Sequence, residues 1–222
     1  MESRVPVAIF SLEVDRRQLA MNLLCGEARV STQKLRSADL SGREWEDIGA
    51  AAGVLSESPI FVDDSVGLNT MSIRAKARRL KARHDLGLVI VDYLQMLELG
   101  GRRPDDSRQQ EISAISRALK NIARELEIPV ITVSQLSRAV EQRESHRPRM
   151  SDLRESGAIE QDADLILLLY REEYYNPDKA EAKGKADVII AKQRNGPTGS
   201  VELTFLGEWL RFENAARYEE EF

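Results

Sequence analysis

Three polar residues each follow a short apolar run, and each is of a type that can act on a phosphate ester. Val5 to Phe10 leads into Ser11-Leu12-Glu13, Leu88-Val89-Ile90-Val91 meets Asp92, and Pro129 to Val133 ends in Ser134-Gln135. Phosphoryl transfer to water needs a cation at the phosphates, a group that orients the water, and positive charge for the transition state. A carboxylate at the end of a buried strand, as Asp92 would be, can hold a hydrated Mg²⁺ beside a nucleotide. Glu13 can polarise the attacking water as a general base. The Gln135 amide can report whether the γ-phosphate is present. Each residue also has a plainer use. Asp92 can mark where the sheet ends, Glu13 can be a helix-start carboxylate favoured by the helix dipole, and Gln135 can be a loop residue.

Two further groups carry charge that suits an anion. Lys192 and Arg194 sit two apart on an extended stretch, so strand alternation puts them on one face, with no acidic partner nearby in sequence. Such a pair fits a finger inserted into a neighbouring subunit's site, or a solvated basic turn. Asp152-Leu153-Arg154-Glu155-Ser156-Gly157 offers a cation, a carboxylate and an unhindered glycine amide. A backbone amide beside an arginine can hold a nucleic-acid phosphate without reading the base. The same stretch also reads as a helix start with surface charges.

The elements that must position these residues alternate. The Asp92 run is apolar and mostly β-branched, which predicts a strand buried on both faces of a parallel sheet. Asp15 can cap a helix with Leu19, Leu23 and Leu24 as its buried stripe. Ser41 and Glu44 form a capping-box pattern for a helix reaching about Leu55. Pro59 to Val62 predicts a strand stopped by Asp63-Asp64. Thr70 can cap a helix with Ile73, Ala77 and Leu80 on one face. Leu99 to Asp106 is a loop carrying Arg102 and Arg103, and Ser107 to Glu127 is a long helix with Ile112, Ile115, Leu119, Ile122 and Leu126 at helical spacing. Arg138 to Arg149 has no apolar period and reads as a mobile loop. Asp152 to Asp164 holds a turn and a short helix. Leu165 to Tyr170 and Ala186 to Ala191 are strands separated by a charged loop from Arg171 to Gly184. Val201 to Phe205 and Trp209 to Phe212 end the chain antiparallel across Gly207. The whole predicts an α/β fold, with a mainly parallel central sheet flanked by helices and antiparallel strands at its C-terminal edge. Right-handed crossovers then bring Glu13, Asp92 and Gln135 to one edge of that sheet.

Composition narrows the class. The 222 residues are 42% hydrophobic and 31% charged, with 32 basic against 37 acidic side chains and a net charge of −5. That is ordinary for a globular protein, and no global basic field announces nucleic acid. A single cysteine, Cys25, excludes an internal disulfide and reads as a small buried hydrophobe. His84 and His146 give no zinc spacing. No apolar run approaches the ~20 residues of a membrane span, and a cytoplasmic location is expected. Residues 1–213 read as one domain, with an acidic tail from 214 to 222.

Taken together, these segments resemble the C-terminal motor domain of bacterial replicative DNA helicases of the DnaB type, within the RecA-like ATPases. The matching stretches are Phe10-Ser11-Leu12-Glu13, Val89 to Gln95, Thr132 to Arg138, Asp152 to Asp164, and Ile190 to Gly199. They occur in family order and span nearly the whole chain. The resemblance implies a hexameric ring around one DNA strand, moving 5′ to 3′ by ATP hydrolysis between subunits with Mg²⁺. It matches Glu13 to the catalytic glutamate, Asp92 to the Walker B aspartate that holds Mg²⁺ through water, and Gln135 to the residue coupling nucleotide state to DNA. It matches Lys192 and Arg194 to the trans-acting basic pair, and Arg154, Glu155 and Gly157 to the loop that tracks DNA phosphates. Implied partners are single-stranded DNA, the helicase loader, primase and the clamp-loader complex, at replication forks on the nucleoid.

One feature departs from the family. No G-x-x-x-x-G-K-[ST] phosphate loop occurs in the 222 residues, and Gly100-Gly101-Arg102 has neither the lysine nor the hydroxyl. In the family that loop, with its strand and helix, lies just before the strand that begins here at Val5, and the amino-terminal partner-binding domain and linker helix lie further upstream. The expectation is a helicase fragment with impaired ATP binding and with strand edges left open. The alternatives are a non-catalytic DNA-binding or assembly module derived from a helicase, and another RecA-like ATPase such as a recombinase.

Overall fold

The computed structural model describes residues 4–99, 107–153 and 157–215. In chain order the elements begin with β1 (Val7–Ser11), α1 (Arg16–Ala28), α2 (Thr32–Ser37), α3 (Gly42–Ser56), β2 (Ile60–Asp63), α4 (Thr70–His84) and β3 (Leu88–Asp92). There follow α5 (Arg108–Leu126), β4 (Val130–Thr132), α6 (Gly157–Asp162), β5 (Leu165–Tyr170), α7 (Glu172–Tyr175), β6 (Lys185–Gln193), β7 (Gly199–Leu206) and β8 (Arg211–Asn214). The chain divides into two compact units: Met1–Ala20, Ala52–Ser137 and Leu153–Ala163 make one, and Met21–Ala51, Arg138–Asp152 and Asp164–Phe222 the other.

The first unit holds a four-stranded sheet in the order β2-β1-β3-β4, with every pair parallel. Its register sets Ala8 beside Val89 and Phe10 beside Val91, so these four side chains share a face. All four are enclosed, in one core with Ile73 and Ala77 of α4 and Ile112, Ile115, Leu119 and Ile122 of α5. The apolar period of Ser107 to Glu127 thus becomes the cover of the sheet. Leu88 and Ile90, on the other face of β3, are only partly buried. The run before Asp92 is therefore enclosed on one face, not on both as its composition suggested, because burial of a strand face depends on what is laid against it.

Local signals place the ends of these elements. Ser107 and Gln110 form a reciprocal capping box at the start of α5, and Glu127 closes it in the left-handed region. The cap of α4 is Asn69 rather than Thr70: Asn69 is extended, its side chain accepts from the Ser72 N–H at 2.9 Å, and Thr70 is the first helical residue. Gly87 precedes β3 where a Cβ would fall 2.3 Å from Val5 Cγ1, so a larger residue would have to push that half-exposed side chain aside. Among the described residues β4 has one strand neighbour, β3, and its edge carries half-exposed Ile131 and Val133.

The second unit holds an antiparallel sheet in the order β5-β6-β7-β8. The late antiparallel strands thus form a sheet of their own. On β5, Ile166 and Leu168 are buried, while Leu165, Leu167 and Leu169 are about half exposed. The final hairpin is longer than expected, and Trp209 lies in its turn, donating from its N–H to the Leu206 carbonyl at 3.1 Å. In α1 the enclosed residue is Cys25, whose thiol burial pushes up in pKa, and not a leucine stripe. The close-packed side of that helix carries Cys25 and Gly26, and a Cβ on Gly26 would meet the Trp209 carbonyl oxygen at 3.3 Å.

Two segments expected to be loops hold short structure. Arg138–Val140 is a 3-10 turn with Val140 buried, and Arg143 pairs with the buried Asp152, which also accepts from the Arg149 N–H at 2.7 Å. Between Arg171 and Gly184 lie α7 and a 3-10 turn, Ala180–Ala182. Polar anchoring leaves no apolar period, so periodicity missed both. Residues 100–106, 154–156 and 216–222 lie outside the described residues, and with them most of the expected Leu99–Asp106 loop, Arg154 and Glu155, and most of the acidic tail expected from 214 to 222.

Two stability measurements follow. Ile115 is fully enclosed between α5 and the sheet, so Ile115→Ala should destabilise by about 2–5 kcal/mol in urea unfolding; a loss under about 1 kcal/mol would mean the site collapses around the change. Glu44 is held at about 2, below its ordinary 4.5, by the Lys34 ammonium and by the N–H and hydroxyl of Ser41. With the folded value depressed, the stabilisation is full above pH 4.5 and is lost as pH falls towards 2. Glu44→Gln should flatten the fall of Tm with acid over that window, and an unchanged slope would contradict the assignment.

Candidate active site

The C-terminal ends of β1, β3 and β4 lie side by side, and the three residues expected at strand ends project from them. Ser11 is the register partner of Asp92, and the Leu12 N–H donates to the Asp92 carbonyl at 2.6 Å, which places Glu13 one residue beyond. The Val133 N–H donates to the Val91 carbonyl at 2.9 Å and the Leu94 N–H to the Val133 carbonyl at 3.0 Å, which brings Gln135 beside the segment that follows Asp92. Asp92 is half-buried, while Glu13 and Gln135 are exposed. The Asp92–Tyr93 peptide is cis.

Other carboxylates at this end of the sheet have structural work. Asp15 caps α1, accepting from the Arg17 and Gln18 N–H groups at 2.8 and 2.9 Å. Asp64, at the end of β2, accepts from the Arg16 N–H at 3.0 Å, which draws its carboxyl below the usual range. Asp63 is paired with Lys76 and accepts from the Ser65 hydroxyl at 2.5 Å.

Sequence reasoning passed over Gln95. Its side-chain amide donates to Ser134 Oγ at 2.9 Å and accepts from the Gln135 N–H at 3.2 Å. The partners are 40 positions apart in sequence, and only the pairing of β3 with β4 makes them neighbours. The Arg108 guanidinium donates to the Gln95 carbonyl and pairs with Glu111, which is buried.

Of the other expected residues, Gly157 opens α6 in the first unit. Lys192 and Arg194 belong to the second unit. Lys192 is near the end of β6, opposite Ile166, and Arg194 is in the turn one residue past the strand. The turn, rather than strand alternation, therefore places Arg194. Its N–H donates to the Asp164 carbonyl at 2.9 Å, and its side chain stands 3.6 Å from the Asp164 carboxylate. The acidic partner that the local sequence lacked is supplied from 30 positions upstream by the start of β5.

This arrangement has known counterparts. The model of the DnaB-like helicase C-terminal domain matches residues 1–214. The chain belongs to that family. It is 52% identical over 211 residues to replicative DNA helicase DnaB of Geobacillus stearothermophilus, covering 95% of this chain and 46% of that protein. The same figures describe its match to replicative DNA helicase DnaC of Bacillus subtilis. A solved DnaB-like replicative helicase, described with its interactions with primase, superposes with a TM-score of 0.90 at 42% identity, covering 96% of this chain and 51% of that one. A solved ATPase domain matches equally well and is covered to 75% of its length. The chain thus spans about half the length of the curated relatives it matches.

The residues present fit part of a Mg²⁺–nucleotide site. Mg²⁺ takes hard oxygen donors and is commonly held by one or two carboxylates together with substrate phosphates; the half-buried Asp92 supplies such a carboxylate. The ring of backbone amides and the lysine that would neutralise the phosphates have no counterpart in these 222 residues. Calorimetry with ATP and Mg²⁺ on the 222-residue chain is accordingly expected to detect no micromolar binding. Tight binding would mean that the phosphates find another cradle.

Proposed function

We propose that this chain is motor-domain sequence of a ring-shaped replicative DNA helicase, which unwinds duplex DNA 5′ to 3′ at the fork using ATP. The observation that carries the reading is the alignment of Glu13, Asp92 and Gln135 at one end of a parallel sheet, in a chain of the DnaB-like family. Glu13 is exposed and can take a proton from the water that attacks the γ-phosphorus. Asp92 would hold Mg²⁺ through water, and the ion would supply positive charge against the nucleotide phosphates. Gln135 couples the state of the nucleotide to DNA. Lys192 and Arg194 serve a neighbouring subunit's site, where positive charge stabilises the transition state. The loop of Arg154, Glu155 and Gly157 tracks the phosphates of single-stranded DNA, with the arginine and the glycine amide as the donors, which suits sequence-independent tracking.

The partners follow from the same reading: further copies of the chain in a hexamer, single-stranded DNA, primase, a loader and the clamp-loader complex, in the cytoplasm at the nucleoid. The interaction with primase described for the solved relative supports the primase assignment. None of the described helices is long and apolar enough to cross a membrane.

The test uses the full-length protein on forked duplexes with either a 5′ or a 3′ tail. Unwinding should require the 5′ tail. Glu13→Gln should lower kcat for ATP by about 10²–10⁴-fold, and Arg194→Ala by about 10³–10⁵-fold. Mixing Arg194→Ala subunits with Glu13→Gln subunits should restore part of the activity, because some interfaces then combine two intact halves. A Glu13→Gln protein with an unchanged hydrolysis rate would overturn the assignment.

A further inference from the structure

Ser134 and Gln135 lie past the end of β4, beyond the last backbone bond to the β3 segment, in which the Leu94 N–H donates to the Val133 carbonyl. Two supports hold this segment: the antiparallel bridge of the next residue, Leu136, with Leu153, and the Gln95 side chain from the segment that follows β3. The Gln95 Oε1 accepts from the Gln135 N–H at 3.2 Å, and its Nε2 donates to Ser134 Oγ at 2.9 Å and to the Gln135 carbonyl at 3.4 Å. One amide thus meets both the N–H and the C=O of a single residue, as a neighbouring strand does in a ladder. The Gln135 N–H can only donate, so the amide oxygen must face it and the orientation of Gln95 is fixed.

Gln95 is itself anchored. The Leu94 N–H before it is bonded to the Val133 carbonyl at 3.0 Å. The carbonyl of Gln95 accepts from Arg108, and Arg108 is locked by Glu111, which is 4% exposed and also accepts from the Leu99 N–H at 3.4 Å. An ion pair at the start of α5, buried on its Glu111 side, therefore steadies the clamp on the Gln135 backbone.

We infer that Gln95 is a positioning residue: it fixes the Gln135 backbone against the Asp92 strand and so transmits the state of the nucleotide through Gln135. The inference rests on the coupling role proposed above for Gln135. Only glutamine satisfies the geometry. Glutamate keeps the acceptor but loses the donor, and asparagine is shorter by one carbon–carbon bond, about 1.5 Å.

The test compares full-length wild type with Gln95→Ala, Gln95→Glu, Gln135→Ala and the Gln95→Ala/Gln135→Ala double variant. Hydrogen exchange at the Gln135 amide should accelerate at least about tenfold in Gln95→Ala, since the acceptor is gone. KM for ATP should stay within about twofold, while the DNA-stimulated part of kcat falls by about tenfold to a hundredfold. The double variant should be no worse than Gln135→Ala, because Gln95 acts through Gln135. Gln95→Glu keeps the shape and the acceptor, so it should fold even if Gln95→Ala does not, protect the Gln135 amide, and lose part of the DNA stimulation. Unchanged exchange at Gln135 in Gln95→Ala overturns the clamp. Multiplicative losses in the double variant, or full DNA stimulation with the clamp lost, overturn the positioning role. A wild-type protein without DNA-stimulated hydrolysis would instead overturn the helicase reading, and the coupling role with it, while the exchange result still reports on the clamp.

Discussion

Backbone pairing along three adjacent parallel strands sets the spacing of Glu13, Asp92 and Gln135 at one end of the first sheet. The Leu12 N–H on the Asp92 carbonyl, at 2.6 Å, closes the ladder between β1 and β3 at the point where both strands turn polar. A slip of one residue in β3 would move Asp92 along the edge and turn Val89 and Val91 away from α5. Burying such a side chain contributes roughly 1.5–3 kcal/mol, so losing several of them outweighs any gain from an alternative register. The apolar core thus fixes the spacing of these three strand-end residues.

The ladder runs out sooner between β3 and β4. Only three residues of β4 are in strand geometry, and the polar Ser134-Gln135 segment past them depends on the amide of Gln95 and on the ion pair behind it. The two supports differ in kind. The sheet is fixed by many weak apolar contacts, which no single polar change undoes. The clamp depends on a few directed bonds, each of which a single side-chain change removes.

The second unit shows the same contrast in its charged groups. Asp152 is buried against Arg143, and its segment is held by that pair. Arg194 meets Asp164 at 3.6 Å with both side chains more than half exposed, a contact worth only about 0–1 kcal/mol.

The sequence by itself determined the elements and their polar ends. The period of α5, the capping box at Ser41, the parallel class of the first sheet and the Glu13, Asp92 and Gln135 strand ends were all legible, because each shows in residues within a few positions of one another. Family membership was legible for the same reason, through short ordered stretches along the chain. Only the tertiary structure decided which face of the sheet is enclosed, that Asn69 rather than Thr70 caps α4, that Cys25 and Gly26 rather than the leucines of α1 take the tight side, and that Gln95 reaches Gln135 while Asp164 reaches Arg194. Those features depend on side-chain reach and packing between segments tens of residues apart, and a linear pattern carries no record of which distant segment will lie alongside.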